Sequence, residues 1–310
     1  MDLSEDALRS IVAHLAHLRS EYGEVLADAE LIEPNGEYFP DEFKLEPDSI
    51  ERLLQRMLTY APLSEDLDVA LGFVEPEGDK QAGGGCGSGA CGTGGGSVAL
   101  TRGGAVETED GYGVIVSTAD VGDPVVLTSV MARAIGRIVL HEADEEIDAR
   151  NEGPLSELTA VACGFGILLL SGSSIYKKGC GGMRRHQATH LGVEELAFAL
   201  ALFVRASEAK PGIVRRHLEV TQKEAFDAAL DWVDGHPNLL ATFKERPETL
   251  ADGVFEIEEK KGLLSRLFSR KSTDDDVEAV PVSKPRERSE EELRRIREAK
   301  ALVDEAFSEP

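Results

Sequence analysis

Five residues in two glycine-rich stretches are of the types that hold soft metals. Cys86 and Cys91 lie in GGGCGSGACGTGGG, and Cys180, His186 and His190 lie in CGGMRRHQATH. Thiolates and imidazoles ligate zinc and iron–sulfur centres, and glycine-rich turns can bring such ligands together. The Cys-x4-Cys spacing is not that of a zinc ribbon, so two readings stand side by side. Either three thiolates and an imidazole converge on a tetrahedral zinc site, or the loops carry thiols that stay free or pair locally. The fourth cysteine, Cys163, sits inside an apolar run and reads as a small buried hydrophobe. His14 and His17, three apart on the first helix, could share a metal but read as a partly exposed helix face.

Two further patterns resemble chemistry. His141-Glu142-Ala-Asp-Glu145 reads H-E-x-x-E, and a His/Glu set can ligate zinc because a carboxylate serves as a ligand. The same run also suits an acidic turn at a helix end. Gly87, Gly89 and Gly92 form a G-x-G-x-x-G, but a dinucleotide fingerprint needs a strand before it and a helix after it. Here more glycines and a strand follow, so no helix N-terminus is at hand for a pyrophosphate.

Elements must position these residues. Apolar spacing predicts helices over residues 4–20, Pro47–Tyr60, Pro124–Glu142, Pro154–Ser171 and Val193–Ala206. A further helix is expected over Thr221–Val233, opened by a Thr221/Glu224 capping box. Asp68–Val74, Ser97–Val106 and Gly111–Ser117 read as strands. Nine of the fourteen residues in the cysteine loop are glycine, so it is a flexible loop or a tight backbone cage. After about residue 256 the core-forming pattern stops. Residues 257–288 hold a basic amphipathic piece and a polar linker, and 289–310 read as a charged helix with pairs such as Glu291–Arg295.

Charge narrows the partners. The 310 residues carry 33 Lys+Arg against 58 Asp+Glu, a formal charge of −25. Nucleic-acid binding is not expected, because phosphates call for a net basic surface. An aromatic share of 5% speaks against a base- or sugar-stacking platform. The start, MDLSEDALRS, is acidic, and no apolar run of spanning length is evident, so no leader and no transmembrane segment are expected and a cytoplasmic location is. The basic piece at 260–271 stands out in so acidic a chain. Leu263, Leu264, Leu267 and Phe268 share a face ringed by Lys261, Arg266, Arg270 and Lys271, a pattern for weak membrane-surface or groove docking.

The stretches MARAIGRIVLHEA, NEGPLSELTAVACGFGILLLSG and HLGVEELAFALALF, with EYFPDEFKLEPDSIERLLQRMLTY upstream, together resemble a group of bacterial zinc-metallopeptidase-like (zincin-like) proteins. The resemblance covers roughly Ala27–Arg205, and the Gly164-Phe-Gly166 and ELAFALALF segments carry most of it. It implies a helix whose H-E-x-x-H motif holds zinc through two histidines, with the glutamate as general base on the bound water. Aligning the glycine of the H-E-x-G-H form with Gly136 puts Arg133 and Arg137 at the histidine positions and Ala134 at the glutamate. A guanidinium has no lone pair to give, and Ala134 cannot move a proton. Glu157 then falls near the place of a downstream acidic ligand and is expected to face Arg133 or Arg137, an ion pair standing where a metal would.

The sequence thus predicts an α+β fold of zincin-like type, a small mixed sheet packed with several helices and followed by a flexible C-terminal tail. The function expected is that of a catalytically inactive binding or scaffold module with an unidentified protein partner and no cofactor. One alternative is a Cys/His metal-binding or thiol-redox protein, with zinc at the Cys86, Cys91, Cys180, His186 and His190 set. The other is an active metallohydrolase using the shifted His141, Glu142 and Glu145.

Overall fold

The computed structural model describes residues 3–64, 66–75, 104–109, 111–143, 149–179 and 182–257, of which Glu24 and residues 177–179 and 182–185 are described by backbone alone. All of these fall in one compact unit, Met1–Glu259. The cysteine loop with Cys86 and Cys91, Glu145, Cys180, the basic piece at 260–271 and the charged segment 289–310 lie outside the described residues.

The fold is α+β. Helix α1 (Glu5–Tyr22) opens on Ser4, whose hydroxyl accepts from the Ala7 amide at 3.2 Å. Such a cap contributes about 1 kcal/mol by satisfying one orphan donor of the first turn. Its buried stripe, Leu8, Ile11, Val12, Leu15 and Leu18, follows the helical period. The single turn α2 (Glu24–Ala27) follows, then an extended stretch, then α3 (Pro47–Leu58), which starts on proline and buries Ile50, Leu54 and Met57.

Strands β1 (Asp68–Val74), β2 (Gly104–Glu107) and β3 (Gly111–Ser117) form a mixed sheet in the order β1-β3-β2. β1 runs parallel to β3, with Asp68 opposite Gly111, and β2 runs antiparallel to it, with Gly104 opposite Ile115. Of the strand expected over Ser97–Val106, only the part from Gly104 onward lies among the described residues, and it extends one residue further, to Glu107.

Helix α4 (Pro124–Glu142) is the centre of the unit. Asp123 caps it by accepting from Val125 and Val126, and Pro124 occupies the first turn. It packs on β2, β3 and α3 and is buried nearly all round, which explains its weak amphipathic pattern. Against it lies α5 (Glu152–Ala160) at very close range. A Cβ on Gly136 would fall 2.0 Å from the Ser156 carbonyl oxygen, so only glycine permits this crossing.

The sequence pattern predicts one helix over Pro154–Ser171. The structure breaks it. Helix α5 passes into a π-type segment, Val161–Phe165, and resumes as α6 (Gly166–Gly172). The cause is Gly164, at φ +94°, whose carbonyl accepts from the Ile32 amide at 3.1 Å. The extended stretch before α3 therefore bonds to this helix at the point where it bulges, and a tertiary hydrogen bond has displaced a helical one.

A hairpin follows, β4 (Ile175–Gly179) and β5 (Gly182–His186), with Ile175 opposite His186. The sequence predicts a glycine-rich loop here, and the structure has a pair of strands in its place. The remaining helices are α7 (Val193–Ala206), α8 (Pro211–His217), α9 (Val220–Asp234) and α10 (Pro237–Glu245). Helix α7 is the second buried rod: Leu196, Phe198, Leu200 and Val204 are wholly out of solvent. The cap expected at Thr221 sits one residue inside α9; the N-cap is Glu219, whose amide donates to Gln222 Oε1 at 2.9 Å. Gln222 wins because its amide group, buried in the fold, also donates to the carbonyls of Ser171 and Ser174, both at 3.0 Å.

Among the described residues, two helical stretches could cross a membrane by length and composition alone, Pro124–Glu142 and Glu152–Gly172. Both lie mostly inside the unit, as the core helices of a globular fold do, which is compatible with a chain that has no transmembrane segment.

Candidate functional site

The site begins on α4, where Arg133 and Arg137 stand one turn apart and Ala134 follows the first of them. Ala134 is fully buried and Arg133 is 3% exposed. Glu157, on α5, has no exposed surface. The Gly136 crossing draws the two helices together, and Arg133 Nη1 comes to lie 3.4 Å from Glu157 Oε1.

Both partners make further bonds. Arg133 Nη1 donates to the Ala188 carbonyl at 2.8 Å. Glu157 accepts the His190 amide on Oε1 at 2.7 Å and the Leu191 amide on Oε2 at 2.8 Å. The loop 187–191 is braced from within as well: Thr189 Oγ1 donates to the Leu191 carbonyl at 2.8 Å, and Gln187 Nε2 donates to the carbonyls of Thr189 and Leu191. One buried ion pair thus ties α4, α5 and the loop into α7. Burial pushes the Glu157 carboxyl above its ordinary range; the Arg133 guanidinium and the two amides oppose the shift without cancelling it.

Arg137 takes a different partner. Its Nη2 lies 2.6 Å from Glu152 Oε1, with both side chains about one third exposed. Of the two arginines expected to face Glu157, the structure brings only Arg133 to it. The sequence marks Glu152 only as an acidic residue in the first turn of a helix.

Two members of the shifted set, His141 and Glu142, close helix α4. His141 Nε2 stands 3.9 Å from Glu152 Oε1, while Glu142 accepts from the Tyr112 hydroxyl at 2.7 Å. The two side chains share Tyr112, whose ring stands edge-on to His141 with centroids 6.1 Å apart. Glu145 lies outside the described residues.

Among the Cys/His candidates, His186 closes β5 and is exposed. His190 is exposed too, and its ring rests against Gly153, where a Cβ would approach it to 2.7 Å. The third thiol-bearing position, Cys180, and the pair Cys86 and Cys91 lie outside the described residues. Cys163 is buried, and burial pushes its thiol up to about 12. His14 is half-buried, with Nε2 3.1 Å from Thr159 Oγ1. Among the described residues, no group of three or more His, Cys, Asp or Glu side chains is placed to hold a metal ion.

No protein-family model matches the chain, and neither a curated protein nor a solved structure matches it.

The Arg133–Glu157 pair joins a donor to an acceptor that is already engaged. Arg133 is donor-only, and Glu157 already accepts from a guanidinium and two amides. Neither side chain is more than 4% exposed.

Proposed function

We propose that this chain is a catalytically inactive zincin-like domain that acts as a binding or scaffold module. The observation that carries the reading is the Arg133–Glu157 pair. At the helix position where the resemblance calls for a zinc-ligating histidine stands an arginine, and at the place of a downstream acidic ligand stands a carboxylate bonded to it at 3.4 Å. Ala134 occupies the place of the general base and is sealed in the core. A buried ion pair at such a place keeps the geometry of the helix pair and removes its hydrolytic chemistry.

The test is peptide hydrolysis by purified full-length protein with and without added zinc. No chelator-sensitive cleavage of an unfolded protein substrate is expected. Cleavage that chelator abolishes, and that Glu142→Gln also abolishes, would instead establish the His141, Glu142 and Glu145 set as a working metallohydrolase.

A further inference from the structure

Two adjoining cavities lie at the N-terminal end of α4, one of about 510 Å³ and one of about 430 Å³. Pro34, Pro124, Thr128 and Leu168 line both, so the two form one groove with a common floor. Neither Arg133, Arg137 nor Glu157 lines it. The walls are apolar, and three of their side chains are unusually open for their type: Phe43, Val125 and Tyr176 are 39%, 38% and 53% exposed. Contiguous exposed apolar surface of this kind marks an interaction site.

Ser174 lines the larger cavity, is 3% exposed, and its hydroxyl has no hydrogen-bond partner among the described residues. A buried hydroxyl left unpaired is costly and is rare in a settled core. The turn that carries it is held in place by Gln222, which donates to the carbonyls of Ser171 and Ser174. The next two residues, Ile175 and Tyr176, also line the cavity and begin β4. β4 pairs with β5 on one edge, and among the described residues no strand pairs with its other edge.

Charge selects the occupant. The lining holds three carboxylates, Asp41, Glu42 and Glu219, against one guanidinium, Arg56, which already pairs with Asp41 at 3.1 Å; Glu42 has the exposed Lys44 at 3.8 Å, and the rim stays net acidic. The one lining imidazole, His217, sits 2.8 Å from Glu33. A fatty acid or a nucleotide would bring its anion against this rim, in a chain of net charge −25.

We propose that the groove docks an extended peptide segment of a partner protein, with apolar side chains in the two cavities and basic residues against Glu42 and Glu219. The peptide lies beside β4 and its alternate side chains enter the apolar walls, as in strand addition to an open sheet edge. This gives the binding-module reading a surface and a partner class. It rests on that reading only in taking the peptide to be held and not cut, so the binding test and the hydrolysis test fail separately.

The experiment titrates full-length protein with a dye-labelled hexapeptide of alternating leucine and arginine, beside one of alternating leucine and glutamate. The basic peptide is expected to bind with a Kd below about 1 mM, and the acidic one at least about tenfold more weakly. Thr128→Trp, which fills the shared floor from a half-buried position on α4, should abolish binding while leaving the melting temperature in place. Ser174→Ala should leave binding unchanged and the fold as stable as before or more so, because it removes an unpaired hydroxyl that is sealed from the cavity. No binding of the basic peptide, equal binding of the acidic one, undiminished binding by Thr128→Trp, or displacement by dodecanoate with no charge preference would each overturn the proposal.

Discussion

Arg133 and Glu157 face each other across the α4–α5 crossing at 3.4 Å, and neither side chain is more than 4% exposed. The approach depends on Gly136, because any Cβ there would meet the Ser156 carbonyl. Glycine at 136 and charge at 133 and 157 are thus parts of one arrangement. The helix crossing sets the distance, and the ion pair with its two amides closes the loop 187–191 over it. Removing solvent from two charges is expensive, and the extra bonds to Ala188, His190 and Leu191 are what make the pair tolerable.

Glu157→Ala should therefore destabilise the protein by about 3–5 kcal/mol, since it leaves a buried guanidinium without its counter-charge. It also orphans the amides of His190 and Leu191. Glu157→Gln keeps an oxygen for one amide and should lose less. Urea denaturation of the two variants checks this, and an alanine variant that unfolds at the wild-type midpoint would show that the pair carries no weight.

The same carboxyl gives a pH signature. Burial raises its pKa above the ordinary value of 4.5, so the folded state holds the proton more tightly than the unfolded chain. Stability from this group is then complete below that ordinary value and declines as pH rises through the raised folded value. Glutamine does not titrate. The margin of wild type over Glu157→Gln should be widest near about pH 4 and narrow toward neutrality. A margin that instead widens with rising pH would mean that Arg133 and the amides outweigh burial.

Gly164 supplies the sharpest backbone prediction. At φ +94°, with the Glu30 carbonyl oxygen 1.9 Å from where a Cβ would stand, alanine meets both strain and a clash. Gly164→Ala should cost about 2–4 kcal/mol, and the loss should appear as detachment of the stretch around Ile32 in hydrogen exchange. Gly212→Ala, in a helix with open space around it, serves as the control and should shift stability by less than about 1 kcal/mol. Equal effects of the two substitutions would refute the role given to Gly164.

Much of this molecule can be read from local pattern alone. Helices α1, α3, α4 and α7 and strands β1 and β3 are legible because hydrophobic period, proline and caps act within a few residues of chain. So is the α+β class. So, too, is the opposition of Glu157 to one of the two arginines, given the alignment of Gly136. What local pattern could not decide is which arginine. Arg133 and Arg137 lie one turn apart on the same face, and only the angle and closeness of the crossing send the first into the core and the second to Glu152. The break at Gly164 was hidden for the same reason: an uninterrupted apolar run reads as one helix until the Ile32 amide, well over a hundred residues earlier in the chain, claims the Gly164 carbonyl. The β4–β5 hairpin, the Gln222 cap and the groove over Leu168 likewise draw on residues distant in sequence. Spacing along the chain fixes which residues can share an element; which elements meet, and which side chains lose their water when they do, is settled by packing alone.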